Sequence, residues 1–321
     1  MIFDTRSLRH SKGALLARDI TLASGAKIVR GRQIGPEDIA ALTMAGIAEI
    51  PVVEVEPHDV PADEAVARLA KALVPNLGDA SVRREEGPFG CLDLIATAPG
   101  VVGLDTEGIT RMNRVDEGIA VITMRQFQRA CAGEVIAKLR ITPLAVKRSA
   151  LSRVLSEGED MIRLRPVLAE TVTLIQTVEG GEAGQGAEAA IRARLAPLGL
   201  KMANSLVVAH REEALAEVLL SVTGDVVLIL PARATVDRHD VAPEAVRRAG
   251  GVITRFGIPV DPGASMFAGG LGSVPILGLP DCARLTALNG TDWVFERLVC
   301  GVSISDDDLA NLGVGGLLPR G

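Results

Sequence analysis

The stretch VTLIQTVEGGEAGQGAEAAIRARLAPLGLKMANSLVVAHREEALAEVLLSVTGDVVLIL, residues 172–230, switches between two periodicities and thereby decides the fold. Short Val/Ile/Leu runs at 172–178 (VTLIQTV), 205–209 (SLVVA) and 225–230 (DVVLIL) suit strands covered on both faces. Between them, GAEAAIRARLAPLG (186–199) sets Ile191, Leu195 and Leu198 on one helical face, and REEALAEVLLS (211–221) has helical spacing too. Strand, helix, strand, helix, strand predicts a parallel sheet with helices on both sides. The rhythm continues through APEAVRRAGG (242–251), VITRF (252–256), VPILGL (274–279) and a last helix around WVFERLVCG (293–301).

The expected fold class is therefore α/β. A doubly wound, mostly parallel sheet occupies the C-terminal half, residues 166–321, beside a smaller mixed α+β N-terminal region, residues 1–165, with room for two subdomains. In that first region GPEDIAALTMAG (35–46) carries Pro36, Glu37 and Asp38 where a helix begins, IPVVEV (50–55) reads as a strand, and PADEAVARLAKAL (61–73) reads as an amphipathic helix. From 77 to 165, strand-like runs (LDLIATA, GVVGL, IAVITM, EVIAKLRI) alternate with turns, and modest helical patterns fall at 125–132 and 149–157.

Composition narrows the function classes. Of the 321 residues 48% are hydrophobic but only 2% aromatic, with no tyrosine, so Ala, Val, Leu and Ile must build the core. A net charge of -6 with scattered Lys and Arg lacks the basic footprint of a nucleic-acid binder. Cys91, Cys131, Cys282 and Cys300 form no CxxC pair, which argues against a disulfide framework or a structural zinc and for a reduced, cytoplasmic setting. No apolar signal core opens the chain and no later run approaches the length that crosses a bilayer, so a soluble protein with no membrane partner is expected.

In an open parallel sheet, ligands collect beyond the carboxyl ends of the strands, where the strand order reverses. That rule selects EGGEAGQG (179–186), AHRE (209–212), PARATVDRHD (231–240), GIPVDPG (257–263) and GLPDCAR (278–284). Gly184, Gly186 and Ala189 have the G-x-G-x-x-A spacing of a dinucleotide fingerprint, but Glu179 to Ala183 separate them from the strand, and a plain glycine loop is the better reading. In PARATVDRHD, Asp237 and Asp240 could accept hydrogen bonds from a heterocycle's amino groups, and Arg233 or Arg238 could hold a phosphate. A self-paired surface charge cluster is an equal reading. His239 has no second ligand at metal spacing, Asp261-Pro262-Gly263 reads as a turn, and Cys282 reads as a small buried hydrophobe unless Arg284 favours its thiolate.

At these loops the chain resembles a known family, the molybdopterin-binding domain shared by gephyrin-type molybdenum insertases and related adenylyltransferases. GLPDCA looks like that family's Gly-Leu-Pro-Gly-Asn-Pro turn, VDRHDVAPEAVRRAGG like the segment whose aspartate precedes a helix, which places Asp240 on that aspartate, and GIPVDPG like its Lys-Pro-Gly turn. TVDRHDV, FGIPVDPG, GLPDCAR, LNGTDWV and GVGGLL together are most similar to the molybdopterin-binding half of bacterial fusion proteins whose other half is a cofactor nucleotidyltransferase. GAKIVRGRQIGPEDIAALTMAGIAEIPV is similar to the insertase stretch leading towards the domain.

The resemblance implies a protein that binds molybdopterin or the molybdenum cofactor, holding it or delivering it to a cofactor nucleotidyltransferase or a molybdenum enzyme, as a homo-oligomer. Asp237 and Asp240 would orient the pterin, Arg233, Arg238 and Arg284 would neutralise its phosphate, and Gly180, Gly278, Pro280 and Asp281 would frame the pocket. Three alternatives stand beside it: a Mg-dependent nucleotidyl-transfer or insertion enzyme using Asp237 or Asp240, a degenerate structural or oligomerisation domain, and a dinucleotide oxidoreductase using Gly184 and Gly186.

Overall fold

The computed structural model describes residues 1–180 and 185–319. The chain forms two compact units: residues 1–96, 103–124 and 134–163, and residues 97–102, 125–133 and 164–321. The short segments 97–102 and 125–133, though early in the chain, belong to the second.

In the first unit, strands Ile2–Ser7, Glu49–Glu54 and Leu15–Leu16 form an antiparallel sheet. Its core of Leu16, Ile34, Leu42, Ile50 and Val52 includes Leu42 of helix Pro36–Met44. A four-stranded antiparallel sheet orders Ile119–Thr123, Val135–Ile141, Cys91–Ala96 and Val82–Gly87. Helix Ala62–Leu73 packs on it and buries Val66, Leu69, Ala70 and Leu73, the face read from the sequence. Helix Arg148–Ser156 matches the pattern at 149–157. Helix Thr106–Val115 has no counterpart in the sequence reading; it starts where the Asp105 side chain accepts the Gly108 N–H at 2.9 Å.

The second unit is built on strands β1 (Thr171–Val178), β2 (Lys201–Ala209), β3 (Val226–Leu230), β4 (Val252–Phe256), β5 (Phe267–Leu271) and β6 (Val274–Gly278). Helices α1 (Gln185–Leu195), α2 (Glu212–Ser221), α3 (Val241–Arg248), α4 (Gly290–Val299) and α5 (Asp306–Asn311) accompany them. The sheet order is β2-β1-β3-β6-β5-β4. β2, β1, β3 and β6 run parallel, β5 runs against β6, and β4 runs against β5, so a single strand is reversed.

Burial divides cleanly between the faces. Val172, Leu174, Leu228 and Leu277 meet Ile191 and Leu195 of α1 and Val294, Phe295 and Val299 of α4. On the opposite face Ile175, Val227, Ile229 and Ile276 meet Leu215 and Leu219 of α2 and Ala245 and Val246 of α3. The sheet is thus doubly wound, as its alternating pattern predicts. Among the described residues no helix is long and apolar enough to cross a membrane.

One expectation is overturned: 125–132 is not helical. Phe127 takes a left-handed φ of 59°, and Arg129–Ala130 pairs as a strand with Gly100–Val101, so pairing with a distant segment overrides the local pattern. Nor was β5 anticipated, since its two glycines dilute the strand signal.

The two ends of the sheet are treated differently. At the amino end the Asp225 carboxylate accepts from the Glu170 N–H at 2.8 Å and from the Thr171 N–H and hydroxyl at 2.9 and 3.0 Å, clamping β3 to β1. These donors, the Glu170 amide first, hold the acid below its ordinary range. Order reverses at the carboxyl ends of β1 and β3, because β2 lies outside β1 while the rest of the sheet continues from β3.

Helix α4 carries a buried carboxylic acid. Glu296 is buried, which pushes its carboxyl up from 4.5 to about 7; Arg129, donating at 2.8 Å, opposes the rise and Asp292 adds to it. Beside it the Arg297 guanidinium lies 4.4 Å from the centre of the Phe127 ring. A raised folded-state acid favours the protonated form, so this stabilisation is complete below about pH 4.5 and is lost as pH rises through about 7. Glu296→Gln, which keeps an acceptor for Arg129, should raise unfolding free energy at pH 8 by roughly 2–3 kcal/mol and flatten its slope between pH 5 and 7.5. Urea unfolding across that range checks it; a variant with the wild-type slope would contradict it.

Candidate functional site

The strand ends at the switch point are organised from below by one buried arginine. Arg194 lies on the covered face of α1, where its Nε donates to Asp292 at 3.0 Å. Nη1 donates to the carbonyls of Ala190 and Ala283 at 3.2 and 3.1 Å, and Nη2 to that of Ala287 at 3.0 Å. The other Asp292 oxygen accepts the Asn289 N–H at 2.9 Å, while Asn289 caps α4 through the Thr291 N–H at 3.0 Å. The 281–289 turn is thereby fastened to α1 and α4 through charge-assisted bonds.

Above this anchor, three strand ends are tied together. After β1, Glu179 accepts from Arg233, which follows β3, at 2.8 Å from Nε and 2.6 Å from Nη2. After β6, Pro280 opens a short 3-10 helix, Asp281–Arg284. Arg284 donates through Nη2 to the Pro231 carbonyl at 2.6 Å and lies 3.5 Å from Asp281. Gly278 ends β6 opposite Phe267, whose ring would stand 1.9 Å from any Cβ there. Gly180, at φ 122°, faces open space among the described residues. Gly180, Arg233, Gly278, Pro280, Asp281 and Arg284 therefore all sit at these ends.

The rest of the expected set is placed otherwise. Asp240 caps α3, its two oxygens accepting the Val241 and Val236 N–H groups at 2.8 and 3.1 Å. Asp237 accepts the His239 N–H at 2.8 Å, and His239 lies 2.7 Å from Glu244. Both aspartates serve their own loop. Arg238 lines a separate cleft with Ile253, Thr254, Arg255, Phe256 and Asp306. Cys282 stays a thiol, because burial raises it more than Arg194 lowers it. The neighbour favouring its thiolate is thus Arg194 rather than Arg284. Gly184 lies outside the described residues; Gly186 falls within α1.

Backbone donors at the β3 end are scarce. Pro231 has no N–H, and that of Ala232 is taken by the Thr177 hydroxyl at 2.8 Å, which also meets His210 at 2.8 Å. Among the described residues two oxygens are unspent: Gln176 Oε1, two residues before the end of β1 on the α1 and α4 face, and Thr291 Oγ1, in the first turn of α4, are buried without a partner. Among the described residues no three His, Cys, Asp or Glu side chains gather as metal ligands.

No protein-family profile matches the sequence, and no curated protein matches it. Some solved structures show similarity. A molybdopterin biosynthesis MoeA protein from Pyrococcus horikoshii is 13% identical with a TM-score of 0.33, over 94% of this chain and 75% of that one. The molybdopterin biosynthesis enzyme MoaB from Thermus thermophilus is 20% identical with a TM-score of 0.30, over 41% of this chain and 97% of its own. A molybdenum cofactor biosynthesis protein from Pyrococcus furiosus is 13% identical with a TM-score of 0.27, over 95% and 66%.

Sequence reasoning missed Arg194, Asp292, Asn289 and Gln176. The signals were present: Arg194 interrupts the apolar stripe of Ala187, Ile191, Leu195 and Leu198, Asn289 and Asp292 have capping-box spacing, and Gln176 sits inside an apolar strand. Arg194→Ala leaves Asp292 buried without its cation, and should cost about 3–5 kcal/mol in urea unfolding. Restoring volume without charge on both sides, as in Arg194→Met with Asp292→Asn, should recover part of that loss; equal losses in single and double variants would contradict a coupled pair.

Proposed function

We propose that this chain binds molybdopterin or the molybdenum cofactor at the carboxyl ends of β1, β3 and β6, and holds or delivers it during cofactor biosynthesis. The observation carrying this reading is that motifs of the resemblance, TVDRHDV and GLPDCAR, follow β3 and β6, and that Arg233 and Arg284 reach across the strand ends there.

The residues present fit such a guest. Arg233 is 74% exposed and pairs with a single carboxylate, so its guanidinium can turn to a phosphate at little cost. Arg284 presents a second cation from a rigid turn. Gln176 Oε1 is an acceptor for a ring N–H, and a carboxylate oxygen takes more than one hydrogen bond, so Asp237 and Asp240 keep capacity for the pterin's amino groups. When bound, the cofactor would supply the metal chemistry; this chain's groups bind and orient it.

Nucleotidyl transfer fits less well. It calls for donors around a polyphosphate, yet Pro231 has none and Ala232 spends its own on Thr177. A homo-oligomer, and a nucleotidyltransferase or molybdenum enzyme as recipient, complete the reading.

The test is purification from cells that make molybdopterin, followed by oxidation and fluorescence of the pterin derivative. Wild type should retain pterin; Arg233→Ala and Arg284→Ala should each lower the retained amount about tenfold, a loss of roughly 1.4 kcal/mol, without lowering thermal stability in the exposed Arg233 case. Wild type that neither retains the pterin nor binds it in direct titration would leave a structural role as the better account.

A further inference from the structure

A second cleft lies at the far edge of the same sheet. It has a volume of about 240 Å³ and is lined by Arg238, Ile253, Thr254, Arg255, Phe256 and Asp306. β4, which supplies four of these residues, is the terminal strand, with β6 and β5 between it and β3. At roughly 4.8 Å per strand, the cleft is about 14 Å across the sheet from β3.

Its lining carries two arginines and one aspartate. Arg255 is already oriented: Nε donates to the Gly257 carbonyl at 3.1 Å and Nη1 to Asp306 at 2.8 Å, which neutralises the one carboxylate of the lining. Among the described residues Arg238 has no ion pair or hydrogen bond from its guanidinium. Its backbone, by contrast, is pinned. Arg247 donates to its carbonyl at 2.7 Å, and the flanking Val236, His239 and Asp240 amides are all taken within the loop, at 3.1, 2.8 and 3.1 Å. Arg247 itself keeps Nη2 buried and unpartnered. A fixed loop presenting a free guanidinium has already met part of the ordering cost of binding. Half-buried Ile253 and Phe256 give the cleft an apolar wall, and Thr254 brings a hydroxyl.

We propose that this cleft binds the phosphoryl group of a small phosphate ester. Arg238 receives it in a bidentate fork, the free edge of Arg255 and the Thr254 hydroxyl complete the donors, and Phe256 packs against the ester's organic part. Phosphate is favoured over a carboxylate because its three oxygens and near-double charge match donors on three side chains. The cleft, about 240 Å³ and open on one side, admits a phosphoryl group with a small attached moiety. The site is independent of the switch-point reading, since it shares none of the residues assigned there to pterin retention.

The experiment is an NMR titration of the uniformly ¹⁵N-labelled full chain with inorganic phosphate at constant ionic strength, repeated with acetate and with the Arg238→Gln and Arg233→Gln variants. Expected are saturable shifts of the 253–256 amides, at least tenfold weaker with acetate. Arg238→Gln should weaken phosphate binding read at the 253–256 amides at least tenfold, while Arg233→Gln, at the switch point, leaves the titration of those amides unchanged. The proposal is overturned by non-saturating shifts spread over unrelated arginines such as Arg68, by equal affinity in Arg238→Gln, or by acetate binding as tightly as phosphate.

Discussion

The pairing of Arg194 with Asp292 is the constraint on which the carboxyl face of the sheet depends. A guanidinium withdrawn from water is costly unless its donors are met, and here four donor bonds are made: one to a carboxylate and three to carbonyls. Two of those carbonyls, from Ala283 and Ala287, belong to a turn with little apolar anchorage of its own: in it Leu285 and Leu288 are exposed and Ala283 is buried. The arginine therefore gives an irregular segment the stiffness of the helices around it. Lysine, with three donors at one point, could not span the same carbonyls.

Division of labour between the two ends of the sheet follows. Asp225 spends its acceptors on strand-to-strand clamping at the amino end. At the carboxyl end the ties are long side chains, the exposed Arg233 to Glu179 and the half-buried Arg284 to a carbonyl, which can exchange partners without unravelling the strands. A ligand arriving there would compete with side-chain contacts rather than with the sheet itself. The loop after β3 extends this logic, since its aspartates fix its shape and leave its arginines to face outward, one toward the switch point and the other toward the edge cleft.

Much of this was legible in residues 172–230, because strands covered on both faces and amphipathic helices write different periods into sequence. The α/β class, the two-sided winding and the strand ends that face the crevice all follow from that contrast. Legibility failed where the outcome depends on distant partners. The 125–132 segment has a helical pattern but pairs with Gly100–Val101, and β5 carries glycines that only its position between β4 and β6 explains. Arg238 shares a short loop with Arg233, yet Arg233 turns to Glu179 while Arg238 lines the edge cleft, because neighbouring side chains on a turn diverge in ways no spacing rule records. Arg194 stood in plain view as a charge in an apolar stripe; its meaning required the turn at 281–289, about ninety residues on.

Phe267 resting on Gly278 carries a further consequence. The two residues face each other across β5 and β6, and the ring occupies the space a side chain would need. A one-residue slip of β6 would bring Leu277 or Leu279 under the ring and turn the strand's inward positions outward. The glycine thus acts as a detent: it sets how far β6 advances before the chain leaves the sheet, and so fixes the height at which Pro280, Asp281 and Arg284 emerge above the crevice.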